Sequence, residues 1–288
     1  MTNEEKEAIR TQLEVFVAQK GSANKAATFI GVSAGTISQV RNNNWSLIRD
    51  DMWRSIAAAI RQDSGESNIL KKWNIVETKN YKELTQTFSD AQEDSLVMAV
   101  CAEAGSGKSV TAKCYAESHH NVFVLSCSEY WNRKVFLLEL LRVLGRNAEG
   151  DTVGEMVNYI VQTLKRTDSP LLIVDEADKL SDQVLYFFIT LYNKLEDHCG
   201  IVLMATDYLQ KKITRGIRLN KKGYKEIYSR IGHRFITLSP TNSTDIAEIC
   251  TANGIDSKTE IKEIEKDSDN DLRRVRRKVF AINKMKGK

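Results

Sequence analysis

Apolar residues in the first 62 positions recur with the spacing of α-helices. One stripe consists of Ile9, Leu13, Phe16 and Val17. Residues 22–41 follow as two short helical patterns, with Gly31 suited to the turn between them and Ser33 placed to cap the second helix. A further helical stripe occupies residues 50–61. We therefore predict a small all-α domain over residues 1–62 that contains a helix-turn-helix of the phage-repressor type.

Residues 81–240 alternate between continuous apolar runs and helical patterns. The apolar runs are residues 96–101, 121–127, 170–174, 200–205 and 235–238, and helical patterns cover residues 131–144, 153–164 and 185–195. A strand that is buried on both faces of a parallel sheet carries apolar side chains throughout its length. The alternation therefore predicts an α/β fold, with a parallel sheet that is covered by helices on both faces.

Two further segments flank this core. Residues 63–80 begin with a polar stretch that contains Gly65, and we predict a linker there. Residues 241–288 carry helical patterns and end in a strongly basic segment. We predict that they form a small helical lid with a basic C-terminus.

The sequence AEAGSGKS at residues 102–109 lies between a predicted strand and a helical pattern, which is the context of a phosphate-binding P-loop. Gly105 and Gly107 let the backbone direct its N–H groups at phosphate oxygens, and the following helix adds the positive end of its dipole. Lys108 can reach the β- and γ-phosphates of ATP, and the Ser109 hydroxyl can bind Mg²⁺. The first position departs from the usual pattern, since alanine replaces glycine there. The candidate nucleotide-binding residues are Ala102, Glu103, Ala104, Gly105, Ser106, Gly107, Lys108, Ser109 and Val110.

Acidic residues follow the third predicted strand. Asp175 and Glu176 come directly after an apolar run, at the edge of the sheet where open α/β folds bind their ligands. Asp175 can hold Mg²⁺ through its water shell, and Glu176 can orient and deprotonate an attacking water. The fourth strand ends in Thr206-Asp207, where the Asp207 side chain could sense the γ-phosphate or help to place the water. Together with the P-loop, these residues predict an ATP-hydrolysing site.

The distribution of charge is more informative about partners than the net charge, which is only +4 over 288 residues. In the second helix of the predicted helix-turn-helix, Ile37 and Val40 should face the core, which leaves polar side chains for a DNA major groove. Residues 211–234 hold nine basic residues against one acid, a density that favours contact with phosphates or a subunit boundary. The candidate DNA contacts from these two segments are Thr36, Ser38, Gln39, Arg41, Lys211 and Lys212.

The sequence contains no apolar run of the ~18 residues that a membrane span needs. The N-terminus is acidic and polar, unlike a signal peptide. Five scattered cysteines without a CxxC pair are typical of reduced thiols, and they imply neither a zinc site nor disulfides. We therefore expect a cytoplasmic protein with no membrane partner.

In type and order, these motifs resemble those of AAA+ ATPases. The series consists of the P-loop, Asp175-Glu176, the polar strand end at Asp207, the segment from Ser229-Arg230 to Arg234-Phe235, and Asp271-Leu272-Arg273-Arg274, over residues 80–288. A repressor-like helix-turn-helix fused to an AAA+ module of this length resembles the MuB-like family, which activates target DNA in phage Mu transposition. The TnsC regulators are a more distant resemblance.

The resemblance implies that each ATP lies between two subunits and that an arginine from the neighbour completes its site. Arg230 and Arg234 match the region of this arginine finger, with Arg230 preferred, and Arg273 matches the sensor-2 arginine that reaches the nucleotide. The resemblance also places Arg133 and Lys134 near DNA. It implies an ATP-dependent homo-oligomeric filament on double-stranded DNA, with little sequence preference, that hands this DNA to a transposase and is released by ATP hydrolysis.

Two other functions fit the same motifs. A helicase loader or initiator-like ATPase has the same motifs and a replication partner, and the sequence does not separate it from a transposition regulator. An ATP-gated repressor could read an operator through Thr36, Ser38 and Gln39. Glu176 argues against the repressor, because a pure switch has no need of a catalytic base.

Overall fold

The chain forms two compact units, according to a computed structural model that describes residues 1–71, 73–146, 148 and 150–286. For residues 4, 47 and 61–71 it describes the backbone alone. The N-terminal unit consists of Met1–Trp73 with Leu144–Glu149, and the C-terminal unit consists of Asn74–Val143 with Gly150–Lys288. Residue 72 of the predicted linker and residues 287–288 of the predicted lid lie outside the described residues.

The N-terminal unit is built from four helices and one short 3₁₀ turn in its described part. They are α1 (Asn3–Lys20), α2 (Ala23–Ile30), α3 (Ala34–Arg41), the 3₁₀ turn Trp45–Leu47 and α4 (Asp50–Lys71). The turn between α2 and α3 has the predicted chemistry. Gly31 adopts a left-handed φ of 79°, and the Ser33 side chain accepts a hydrogen bond from the Thr36 amide at 3.0 Å. The core of this unit centres on Leu13, Ile37, Trp53 and Ile56, none of which is exposed to solvent.

Helix α4 is longer than the sequence analysis predicted. The sequence suggested a helix over residues 50–61 and a linker from residue 63, whereas α4 continues through Lys71. The physical reason is that one glycine, Gly65, costs a helix only about 1 kcal/mol and does not by itself end it. The division between the two units, after Trp73, falls within the predicted linker segment.

The C-terminal unit is an α/β structure with a five-stranded parallel sheet in the order β2-β3-β4-β1-β5. The strands are β1 (Val97–Cys101), β2 (Val122–Ser126), β3 (Leu171–Asp175), β4 (Gly200–Ala205) and β5 (Ile236–Thr237). The helices are α5 (Lys79–Glu93), α6 (Lys108–Ser118), α7 (Arg133–Val143), α8 (Val153–Arg166), α9 (Asp182–Leu195), α10 (Asp207–Arg218) and α11 (Tyr224–Arg230), followed by the lid helices α12 (Ser243–Ala252), α13 (Lys258–Ser268) and α14 (Leu272–Met285). Every residue of β3 and β4 is buried, as their continuous apolar sequences predict.

The register of the sheet brings the carboxyl ends of its strands together. Cys101 at the end of β1 lies beside Ala205 at the end of β4, and Ser126 at the end of β2 lies beside Asp175 at the end of β3. The residues that follow these strands therefore meet at one edge of the sheet. In the described part of the chain, none of the helices has both the length and the apolarity that crossing a membrane requires.

Helix α5 packs closely on the sheet at Gly200, the first residue of β4. A Cβ atom at this position would lie 2.1 Å from the carbonyl oxygen of Ala91, which belongs to the α5 backbone. By contrast, a Cβ atom at Gly154, within α8, would meet open space. The two glycines therefore provide a matched pair for testing how tightly the sheet is covered.

We expect Gly200→Ala to lower the free energy of unfolding of the C-terminal unit by about 2–3 kcal/mol, because backbone atoms must move to relieve the overlap. Gly154→Ala should raise it by up to about 1 kcal/mol, since alanine is the better helix former. Urea denaturation followed by circular dichroism measures both changes. Equal midpoints for the two variants would contradict the close packing at Gly200.

Candidate functional site

The loop between β1 and α6 has the backbone of a phosphate-binding loop. Gly105 and Gly107 adopt φ angles of 79° and 93°, which favour glycine over any residue with a side chain. Helix α6 begins at Lys108, and none of the described side chains caps its first turn. The amide groups of that turn can therefore donate to an anion.

Ala102 explains why this loop tolerates alanine at its first position. The Ala102 amide donates to the Ala205 carbonyl at 3.1 Å, which extends the ladder between β1 and β4 by one residue. Its methyl group is buried in the core beneath the sheet, and its φ is not positive. The position therefore behaves as the end of a strand, where glycine has no advantage.

The Lys108 ammonium lies inside the curve of the loop. It donates to the carbonyl oxygens of Ala102 and Glu103 at 2.7 and 2.8 Å and to Ser106 Oγ at 3.3 Å. Burial lowers the pKa of Lys108, and the nearby carboxylates of Asp175 and Asp178 oppose this shift. A cation is thus held at the centre of a ring of backbone dipoles, in the position that a P-loop lysine requires.

Asp175 and Ser109 form the polar floor of the site. Asp175 is 3% exposed, and burial raises the pKa of its carboxyl group although the Ser109 hydroxyl donates a hydrogen bond to it. One carboxylate and one hydroxyl are oxygen ligands of the kind Mg²⁺ prefers. The described residues contain no cluster of three or more His, Cys, Asp or Glu side chains that could hold a metal ion. Asp175 and Ser109 would therefore supply two oxygen ligands to Mg²⁺, and phosphate and water would fill the other coordination positions of the ion.

Glu176 follows Asp175 in a strained backbone conformation. Its φ of 56° is left-handed, which is uncommon for a residue with a side chain and recurs at functional sites. Its carboxylate is half-exposed and contacts the Lys179 ammonium at 2.7 Å. The structure thus places the Glu176 carboxylate next to the predicted Mg²⁺ ligand, where it is paired with a lysine that the sequence analysis did not single out.

Thr206 is the residue that directly follows β4, and Asp207 comes one position later. The Thr206 hydroxyl donates to Asp178 at 2.7 Å, beside the third strand. Asp207 begins α10, is largely exposed and pairs with Lys211 at 2.5 Å. An acid in the first turn of a helix is stabilised there by the helix dipole. The proposed role of Asp207 in sensing the γ-phosphate or placing the water stays a prediction. Threonine followed by an acid is typical of a helix start, so the sequence could have identified Thr206 as the cap of α10.

The last helix of the lid contacts the P-loop directly. The Leu272 amide donates to the Gly105 carbonyl at 3.0 Å, and a Cβ atom on Gly105 would lie 2.0 Å from Asp271 Oδ1. Asp271 also caps α14 by accepting from the Arg273 amide at 2.8 Å. The Arg273 charge acts on Lys108, whose pKa it lowers. The lid therefore brings both a carboxylate and an arginine to the phosphate-binding loop.

Comparison with known proteins agrees with this arrangement of loop, acidic strand end and sheet. Residues 91–213 match the model of a family described as an AAA domain. This segment, which includes the P-loop, is therefore similar to an AAA domain. The match spans the P-loop, the Asp175-Glu176 strand end and β4, whereas the lid and the region of Arg230 lie beyond it.

The chain as a whole resembles the MuB-like proteins. The DNA transposition protein B of the Mu-like prophage FluMu, from Haemophilus influenzae, is 25% identical over 232 residues, which is 80% of this chain and 79% of that protein. The ATP-dependent target DNA activators B of Escherichia phages D108 and Mu are each 25% identical over 259 residues, which is 88% of this chain and 80% of each phage protein. The resemblance therefore extends well beyond the AAA domain.

The two candidate arginine fingers differ in their surroundings. Arg230 stacks on Tyr192, 4.9 Å from the ring centre, and lies 3.7 Å from Glu196. Arg234 is exposed, and none of the described residues forms an ion pair with it. Arg234 lies two residues before β5, a short strand that pairs in parallel with the end of β1. Of the two, Arg234 is the side chain that is free to leave its own subunit.

The basic candidates in the C-terminal unit fall into two groups. Arg133 and Lys134 are exposed in the first turn of α7, and no described residue pairs with either. Lys211 pairs with Asp207, and Lys212 donates to the Leu180 carbonyl at 2.5 Å and lies 3.9 Å from Asp182. Lys212 is therefore a structural contact rather than a surface base, because its largely buried ammonium group is bound to the Leu180 carbonyl.

The residues of the N-terminal unit that were predicted to contact DNA also differ in their exposure. Thr36 is 9% exposed, and its hydroxyl bonds to Ser33 Oγ at 2.9 Å, so it is not on the open face of α3 as expected. It occupies the third position of the helix, where a short polar side chain turns back to the cap. Arg41 is exposed but bound to Glu14 at 3.0 Å, which offsets its charge. Ser38 is exposed and Gln39 is partly buried, and their contact with DNA stays a prediction.

The contact of Asp271 with the P-loop predicts an effect on nucleotide affinity. Asp271→Asn should tighten ATP binding by about 1 kcal/mol, or roughly fivefold, because it removes a negative charge beside bound phosphates. Asparagine caps helices as well as aspartate does, so the lid should keep its fold. Isothermal titration calorimetry measures the change.

Two variants serve as controls for this measurement. Asp269→Asn removes the same charge from an exposed, left-handed position that asparagine accepts well, and it should change the affinity less than twofold. Lys108→Ala should abolish ATP binding. Equal affinities of the two asparagine variants would show that Asp271 does not act on the nucleotide.

Proposed function

We propose that this protein is a Mg²⁺-dependent ATPase that assembles on target DNA with little sequence preference and delivers that DNA to a transposase. The observation that carries the proposal is the convergence of Lys108, Ser109, Asp175 and Glu176 at one edge of an AAA domain. The relatives from phages Mu and D108 are ATP-dependent target DNA activators by name, and the FluMu protein is a DNA transposition protein. These names favour transposition over helicase loading or operator binding.

Each residue has a role that its position supports. Lys108 and the amide groups at the start of α6 bind the β- and γ-phosphates. Ser109 and Asp175 hold Mg²⁺, which neutralises phosphate charge. Glu176 orients the attacking water and accepts its proton. Arg273 approaches from the lid and stabilises the bound phosphates.

Arg234 completes the site of a neighbouring subunit. In the described part of the chain, Arg273 is the arginine whose charge is found to act on Lys108 within the same subunit. Arg234 is exposed, and no described residue forms an ion pair with it, so a second copy of the chain could receive it. A head-to-tail contact of this kind repeats from subunit to subunit and generates a helical filament when it does not close. Hydrolysis then depends on assembly, and release of DNA depends on hydrolysis.

DNA contact in the filament involves Arg133 and Lys134. Both are exposed cations in the first turn of α7, where the helix dipole disfavours positive charge. Phosphate groups would relieve that unfavourable arrangement and carry no sequence information, which suits binding without sequence preference. Ser38 and Gln39 provide an additional polar surface on the N-terminal unit.

Binding to two unrelated DNA duplexes, with ATP, with ADP and without nucleotide, tests the proposed function. We expect filaments on both duplexes with ATP alone, viewed by negative-stain electron microscopy. Glu176→Gln should bind ATP but stall hydrolysis at least 100-fold, because it lacks the proton acceptor, and its filaments should persist on DNA. Binding to one duplex irrespective of nucleotide would support the repressor instead, and binding to neither would support the loader.

Mixing two inactive variants tests whether the site is shared. Arg234→Ala should lose hydrolysis but keep ATP binding, and Lys108→Ala should lose both. In an equal mixture about one site in four combines an intact P-loop with an intact neighbouring arginine, so activity should return. The phosphate-release rate of the mixture is the measurement. Recovery with Arg230→Ala but not with Arg234→Ala would assign the finger to Arg230.

A further inference from the structure

The ion pair between Lys179 and Glu176 occupies the carboxylate that the proposed hydrolysis needs. Lys179 Nζ lies 2.7 Å from Glu176 Oε2, and this contact raises the pKa of Lys179. A carboxylate oxygen that accepts a hydrogen bond from an ammonium group is a weaker acceptor for the proton of an attacking water. In this arrangement Glu176 directly follows Asp175, the proposed Mg²⁺ ligand, but its carboxylate is paired with Lys179.

The backbone builds this pair. Residues Ala177–Lys179 form one 3₁₀ turn, and the Lys179 amide donates to the Glu176 carbonyl at 3.0 Å. Side chains three positions apart overlie one another in such a turn. The left-handed φ of Glu176 sets the direction in which the turn begins. The pair is therefore a product of the local fold rather than of a chance rotamer.

A second acid approaches Lys179 from the loop that follows β2. Ser126 lies beside Asp175 in the sheet, and the Cys127 amide donates to the Asp175 carbonyl at 2.9 Å. The loop that follows Cys127 therefore begins beside the start of the 3₁₀ turn. Besides Glu176, the acids whose charges act on Lys179 are Asp178 and, from this loop, Glu129. Asp178 already accepts a hydrogen bond from Thr206, whereas no hydrogen bond to Glu129 is found among the described residues.

The same loop carries the surface proposed to contact DNA. Tyr130 is 77% exposed, and Arg133 and Lys134 follow at the start of α7. The loop is anchored at its other end because Trp131 is buried against Phe136. A ligand that binds Tyr130, Arg133 and Lys134 would therefore act on a short, tethered segment that includes Glu129.

We propose that Lys179 restrains Glu176. DNA bound to the loop between β2 and α7 then releases Glu176 by bringing Glu129 to Lys179. This regulation rests on the proposed ATPase and deepens it. The Glu176 and Lys179 side chains are 41% and 44% exposed, and ion pairs in such surroundings shift an equilibrium by about two- to fivefold. The restraint is thus weak enough for the movement of one loop to overcome it.

Steady-state hydrolysis of ATP, with and without duplex DNA, tests the restraint, with kcat and KM determined separately. Lys179→Met keeps the length of the side chain and removes its charge, so kcat without DNA should rise about two- to fivefold with KM unchanged. Lys179→Arg should restore the wild-type rate. Lys165→Met, at an exposed position on α8, is the matched control and should have no effect.

Glu129→Gln tests the release. It should leave the rate without DNA at or below that of the wild type and reduce the stimulation by DNA about two- to fivefold. In the Lys179→Met background, the same substitution should have no further effect, because the group it acts on is absent. An additive effect in the double variant would overturn the coupling, and an unchanged or lowered kcat of Lys179→Met would overturn the restraint.

The failure of the proposed function is distinguishable in the same experiment. If the wild-type protein binds ATP but hydrolyses none in either condition, the proposed ATPase activity fails. If the wild-type protein hydrolyses ATP and Lys179→Met has the same kcat, the restraint fails while the proposed ATPase activity stands. If neither protein hydrolyses ATP, the restraint is overturned as well.

Discussion

The parallel register of the sheet is the constraint on which the rest of the site depends. Because the carboxyl ends of β1, β2, β3 and β4 lie at one edge, the P-loop, the acidic strand end and Thr206 meet without any long-range side-chain contact having to draw them together. The burial of β3 and β4 on both faces stabilises the sheet, since their apolar side chains are removed from water on either side. The chemistry at the edge is thus stabilised by the core beneath it.

The lid adds a second level of control over the same edge. A backbone hydrogen bond from Leu272 to Gly105 joins the last helix to the loop that would bind phosphate. This contact couples the position of the last helix to the conformation of the loop. In the proposed filament this contact and the arginine of a neighbour would act on the same nucleotide from different sides.

The sequence predicted most of the framework, because the signals involved are local. Continuous apolar runs located the strands of the sheet, and the glycines and the lysine of the P-loop located the start of α6. The side chains that were placed wrongly depend on the third dimension. Lys212 is drawn inward by the carbonyl of Leu180, and Thr36 turns back to its own helix cap, and neither contact is visible as a charge or a spacing. The ion pair of Glu176 with Lys179 depends on the left-handed backbone of Glu176, which no sequence pattern predicts.

Ala102 has a consequence for how the P-loop is defined. The residue is the last rung of a ladder between two strands, so the requirement at this position is a small side chain that fits beneath the sheet. The torsional requirement for glycine begins only at Gly105. A motif definition that demands glycine at the first position is therefore stricter than the geometry of the loop requires. It would miss P-loops in which the preceding strand is one residue longer.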